Sequence, residues 1–220
     1  MEKLKSNLPN MVGILSVVAV ICGGLLAYIN NLTLQPREEA ARATLNAGIE
    51  QVMGGKCNVI DSKDITKTVD GKDLLFIVYN TDKGTAVQST DPNAFGGNLT
   101  ILVGFDNNGT VLGYTILETA ETPGLGAKAD TWFQSTENGG KGGNACIVGL
   151  NPKDKNLTVS KDGGDIDAIT ASTITSRAFL RAVRQAYDTY CDEAGMSYAK
   201  NTNDKYGTDG DTGATKQKED

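Results

Sequence analysis

The sequence predicts an α+β protein: a single N-terminal transmembrane helix, one mixed domain of strands and helices, and a disordered C-terminal tail. Three observations carry this expectation. Residues 11–29 read MVGILSVVAVICGGLLAYI, an apolar run without a charge. Short alternating or apolar segments bounded by turn residues follow, and an amphipathic segment closes them. The last stretch, 201–220, reads NTNDKYGTDGDTGATKQKED and offers almost no aliphatic side chain to a core.

The apolar run is just long enough to cross a hydrocarbon core as a helix. A cleaved signal peptide is the competing reading, because Lys3 and Lys5 resemble a positive leader and Ala27 could precede a cleavage site. The run is longer than a usual leader core and lacks an A-x-A signal before Asn30, which favours an uncleaved anchor. A lipoprotein role for Cys22 fits poorly, since Val20 and Ile21 stand where a small residue is expected. Lys3, Lys5 and the terminal amine face Arg37 and Arg42 across the span, a weak contrast that leans toward the N-terminus inside. Gly23 and Gly24 could admit a neighbouring helix or be no more than the usual glycine of membrane spans.

Beyond the anchor, Gln35 to Gly54 opens on Pro36 and acidic residues and closes on paired glycines, with Ala40, Leu45, Ile49 and Val52 as an apolar stripe. This is read as a linking helix. Strands are expected at 73–80, 98–105 and 110–117, the last two joined by the hairpin signal Asp106, Asn107, Asn108, Gly109. Two further short strands are read at 145–150 and 157–159, before a final helix over 173–194. The expected division is a short cytoplasmic segment at 1–10, the transmembrane helix at 11–29, the linking helix at 30–54, the domain at 55–200 and the tail at 201–220.

Composition removes several functions. The 220-residue chain contains no histidine, which excludes triad and Cys-His nucleophiles, imidazole acid-base work and histidine-bound zinc. A net charge of -6 argues against tracking nucleic-acid phosphates. The four cysteines, Cys22, Cys57, Cys146 and Cys191, show no C-x-x-C pair, which argues against a structural zinc site or a cluster ligated by this chain alone; the last three could be thiols or include one disulfide. The sequence NGGKGG at 138–143 lacks P-loop spacing and reads as a surface loop. Sequons at Asn31, Asn98, Asn108 and Asn156 would matter only in a eukaryotic secretory pathway.

Two stretches exceed what a fold requires. Residues 165–177, DIDAITASTITSR, place Thr170, Ser172, Thr173, Thr175 and Ser176 at the entrance of the last helix. Hydroxyls beside unpaired N–H groups and the positive end of a helix dipole suit a phosphate; helix capping is the bland alternative, and one hydroxyl would suffice for it. The other stretch, ETPGLG at 121–126, precedes Trp132. Pro123 and Gly124 suit a tight turn, and Gly124 and Gly126 let backbone approach a flat ring.

Residues 167–175 resemble the D-x-x-[ST]-G-A-T-x-[ST] motif of proteins that carry FMN covalently, and ETPGLG resembles the loop that lies against the flavin in the same family. Ala171 and Ser172 stand where the motif usually has Gly and Ala. With the N-terminal span and the order of elements, most of the chain is similar to RnfG, the family of G subunits of Rnf electron-transport complexes; the C subunit of sodium-pumping NADH:quinone reductase is the close competitor. The resemblance implies FMN joined by a phosphoester to Thr173, with Glu121, Thr122, Gly124, Leu125 and Gly126 along the flavin. It further implies Thr170, Ser172, Thr175 and Ser176 near the phosphate, and Asp167 as a feature read by a separate flavin transferase that uses FAD and Mg2+.

The implied function is electron relay in a ferredoxin:NAD+ oxidoreductase complex that moves Na+ or H+, with no independent catalysis, no catalytic residue and no metal. The implied partners are the complex's other membrane and peripheral subunits, and the implied place is a bacterial cytoplasmic membrane with the domain extracytoplasmic. The tail holds a second match, Asp209 to Thr215, which lacks the final hydroxyl at Gln217 and any apolar framework, so Thr173 is preferred to Thr215. Two other classes stay open on the residues alone: a non-redox assembly module whose helix entrance is only capped, and a stand-alone reductase.

Overall fold

The computed structural model describes residues 8–69, 71–135 and 144–196. The chain forms two units, Met1–Asn46 and Ala47–Asp220. The first consists of most of helix α1, Leu8–Val52. Within it, Met11–Asn30 is long and apolar enough to cross a membrane, and its large apolar side chains are exposed. So continuous an exposed apolar surface is consistent with a membrane anchor. Pro36, read above as the start of a new helix, lies inside α1. Proline there deletes one backbone bond, and the helix formers that follow carry the helix on to Val52.

The second unit begins with the last turns of α1. These end in a glycine cap: Gly55 N–H donates to Glu50 C=O at 2.8 Å and Gly54 N–H to Gln51 C=O at 3.2 Å, the paired bonds of a Schellman motif. Five strands follow, β1 (Val59–Val69), β2 (Lys72–Thr81), β3 (Gly84–Ala94), β4 (Gly97–Phe105) and β5 (Val111–Thr119). They form one antiparallel sheet in chain order. The expected strands at 73–80, 98–105 and 110–117 are β2, β4 and β5. The β4–β5 turn is held by Asp106, whose carboxylate accepts the N–H groups of Asn108 at 2.9 Å and Thr110 at 2.7 Å.

A four-residue helix α2 (Ala129–Trp132), the long helix α3 (Thr173–Glu193) and two short 3-10 turns, Gly126–Lys128 and Ser160–Asp162, complete the described elements. The segments 145–150 and 157–159 are not strands. Residues 149 and 150 instead exchange two bonds with Val111, and Val159 makes one isolated bridge with Ile166. Their apolar residues Ala145, Ile147, Leu157 and Val159 are buried, but turns on both sides leave no length for a ladder. The 138–143 loop, the 201–220 tail and Thr215 lie outside the described residues.

The core lies between the sheet and α3. Ala178, Phe179, Ala182, Val183, Ala186, Tyr187 and Tyr190 recur at helical spacing and pack on Val87, Ile101, Val103 and Phe105. Phe179 stacks on Phe133 at 4.4 Å and meets Tyr114 edge-on at 4.7 Å. On the opposite face the last turn of α1 lies directly on the sheet: a Cβ at Gly104 would sit 2.5 Å from the Val52 carbonyl oxygen. The four cysteines are free thiols, and burial pushes the Cys191 thiol upward.

Candidate functional site

The entrance to α3 is built by a short network. Ser176 donates its hydroxyl to the Ser172 carbonyl at 2.9 Å and accepts the Ile169 N–H at 3.0 Å, while Ser172 N–H donates to Ile169 C=O at 3.0 Å. This clamp folds 169–172 into a tight turn. Ala171 takes the left-handed conformation, with φ 62°, alone among described residues other than glycine. That conformation costs a side-chain-bearing residue about 1 kcal/mol relative to glycine. It supplies a physical reason for glycine at this place in the flavin motif.

Ala171→Gly is therefore expected to raise stability by up to about 1 kcal/mol. Urea unfolding of the detergent-solubilised protein, followed by the emission of Trp132, checks this, and an unchanged midpoint would count against strain at Ala171.

The five hydroxyls fall into distinct environments. Thr175 and Ser176 are buried and their hydroxyls are bonded within the protein. Ser172, at the N-cap, is buried and makes no side-chain capping bond. Thr170 is exposed, and Thr173 is half-buried. The Thr173 hydroxyl makes no hydrogen bond among the described residues. A helix leaves its first N–H groups without internal partners, and no side chain caps them here. The simple capping account thus fails at the residue placed to cap.

The ETPGLG loop meets this entrance through Glu121. Its carboxylate is buried and bridges two elements, accepting the Thr175 hydroxyl at 2.9 Å and the Gly96 N–H at 3.1 Å. Gly126 lies against the bridge so closely that a Cβ would come within 2.2 Å of Glu121 Oε2. Gly126 is thus a packing requirement of the bridge. Thr122, Gly124 and Leu125 are exposed beside it. Farther along, Tyr114 donates to the Ala129 carbonyl and accepts the Phe133 N–H at 3.2 Å, fixing α2. Burial raises the Tyr114 pKa, so it stays a protonated donor.

Asp167 is tied on two sides. Its carbonyl accepts the Trp132 indole N–H at 3.1 Å, and its carboxylate accepts the Ser160 hydroxyl at 3.0 Å. Arg177, one turn after Thr173, forms a bidentate pair with Asp162 at 2.7 Å. Among the described residues no group of acids and cysteines is arranged to hold a metal ion. The β3–β4 turn, which meets Glu121 through Gly96, is a part of the site that sequence reasoning missed. Its sequence NAFGG carries no chemical motif, and only the long-range bond to Glu121 brings it here.

Residues 95–188 match the FMN-binding domain family. The class is therefore that of proteins built on a flavin mononucleotide domain, and the match covers the β3–β4 turn, the ETPGLG loop and most of α3. The G subunit of the ion-translocating oxidoreductase complex of Salmonella typhimurium is 35% identical over 185 residues, covering 78% of this chain and 85% of that protein. Its counterpart from Shewanella piezotolerans is 31% identical over 196 residues, covering 83% and 88%, and that from Escherichia coli K12 is 34% identical over 185, covering 78% and 85%. The chain belongs to the RnfG family, the G subunits of ion-translocating oxidoreductase complexes.

Proposed function

We propose that this chain is a membrane-anchored flavin carrier that holds FMN covalently on Thr173 and relays electrons within an Rnf-type complex. The observation that carries the reading is the Thr173 hydroxyl, unpartnered among the described residues at the uncapped start of α3, inside the FMN-binding domain match. A flavin phosphate fits this donor set: helix N–H groups and the dipole favour its charge, and Ser172 and Thr170 stand on either side of the turn. Exposed Leu125 and Ile174 offer apolar surface to a ring. The bound flavin supplies reversible electron acceptance, and the chain's task is to tether, orient and shield it.

Attachment in this reading is a transfer from FAD by a separate flavin transferase. The Thr173 oxygen bonds to the FMN phosphorus, the pyrophosphate bond breaks, AMP leaves and the threonine proton is released. Asp167, held by Trp132 and Ser160, is the residue proposed for recognition by that enzyme. In the proposed division, 11–29 is the span and 55–200 the flavin domain, held on the extracytoplasmic side of a bacterial cytoplasmic membrane. Electron exchange is with other subunits of a ferredoxin:NAD+ oxidoreductase complex coupled to Na+ or H+ movement; the names of the relatives support the ion-translocating oxidoreductase complex and its other subunits.

The test is intact mass and in-gel flavin fluorescence of the denatured full-length protein after co-expression with a flavin transferase. A mass increment of one FMN less one water, with fluorescence, is expected. No increment, with the transferase shown to be active on a control substrate, overturns the reading and leaves a non-redox assembly module.

A further inference from the structure

We infer that Phe95, at the tip of the β3–β4 turn, is a wall of the flavin site and sets the position of the ring carried by Thr173. The inference rests on the Thr173 reading. The other four of the five phenylalanines, Phe76, Phe105, Phe133 and Phe179, are fully buried, whereas Phe95 is 67% exposed. A loose tip would let the ring fold back onto the sheet, but this tip is fixed. Gly96 N–H donates to Glu121 at 3.1 Å, and a Cβ at Gly96 would lie 2.2 Å from the Ala120 carbonyl oxygen. The protein thus holds a large apolar ring in water with a buried carboxylate behind it.

Two more exposed apolar residues adjoin, in sequence, residues that contact this carboxylate. Leu125 precedes Gly126, which packs on Glu121 Oε2, and Ile174 precedes Thr175, which bonds it. Leu125 is 44% and Ile174 48% exposed. Three separate segments that meet at the Glu121 bridge thus each carry one exposed apolar residue next to the contacting one, and Ile174 adjoins Thr173. Solvated apolar surface of this kind marks a ligand or partner contact. A flat aromatic ring tethered at Thr173 is the occupant committed to here, because Thr173 adjoins Ile174 and the FMN-binding domain match covers all three segments. Phe95 offers that ring an aromatic face, for which offset or edge contact is favourable.

The experiment uses the full-length, flavinylated protein in detergent. Trp132 is the single tryptophan, so in a Trp132→Phe background Phe95→Trp introduces one indole, a strong electron donor that quenches an excited flavin only at contact. Folded-state flavin emission and lifetime are expected to fall about fivefold against the Trp132→Phe parent and to recover on denaturation. Phe95→Ala is expected to raise the iodide quenching constant of the folded protein about twofold, as the ring face opens to water. Unchanged lifetime and unchanged iodide access, with equal flavin in the denatured samples, would overturn the inference and assign the patch to a protein partner. Denatured wild-type protein without flavin would instead sink the Thr173 reading, and this one with it.

Discussion

Replacing Thr173 by alanine is expected to leave the protein folded and wholly without covalent flavin. The two halves of this expectation have separate causes. The hydroxyl makes no hydrogen bond among the described residues, and the N-cap position belongs to Ser172, so truncation removes no cap. Alanine is the better helix former, and a change of no more than about 0.5 kcal/mol is expected in urea unfolding. Flavin content, by contrast, falls from one per chain to none, because no other atom of the side chain can form the phosphoester. Thr173→Ser keeps a hydroxyl at the same helix position and is expected to retain flavin, while Thr170→Ala and Thr215→Ala, which on the proposed assignment remove no attachment atom, are expected to leave the content unchanged. Mass spectrometry of the four denatured variants separates these cases. Flavin that survives in Thr173→Ala and disappears in Thr215→Ala would move the attachment to the tail.

The strands and the site were legible to different degrees, for reasons that can be named. Strands β2, β4 and β5 show in the sequence because Phe76, Val78, Leu99, Ile101 and Val103 sit in apolar runs between turn residues. Strands β1 and β3 do not. The first, VIDSKDITKTV, is a solvated edge strand with little to bury, and its polarity is what keeps an edge from aggregating. The second, GTAVQSTDPNA, buries Ser89 and Asp91 and ends beyond Pro92, so its pattern reads as loop. At the site, the motif residues stand close together in sequence and were visible, whereas the Glu121 bridge is not local. It spans 54 residues to Thr175 and 25 to Gly96, and spacing alone cannot show such a contact. The hydroxyl inventory was likewise visible, but its partition was not: Thr175 and Ser176 turn inward because helical spacing places them on the core face of α3 with Phe179 and Val183.

The ion pair between α3 and β3 carries the largest expected loss of stability. Arg181 grips Asp91 through two bonds, at 2.8 Å and 3.0 Å, and the same carboxylate accepts the Asn93 N–H at 2.8 Å. The Asp91 side chain is 1% exposed and that of Arg181 19%, so water cannot replace the lost partner. Arg181→Met is therefore expected to cost about 3–5 kcal/mol in urea unfolding, the range for a buried pair broken on one side. That is a large share of the stability of an ordinary domain. The exposed pair Lys63–Glu193 supplies the contrast: with the Lys63 side chain 55% exposed, Lys63→Met is expected to cost less than about 1 kcal/mol. Burial decides between them, since both pairs are close. Combining Arg181→Met with Asp91→Leu removes the orphaned charge as well and is expected to recover much of the loss. Asn93 lies two residues before Phe95, so the single variant also loosens the turn that presents the aromatic tip, while the Glu121 bond still holds Gly96. A cost for Arg181→Met as small as that for Lys63→Met would mean that water reaches Asp91 and that the pair does not anchor β3 to α3.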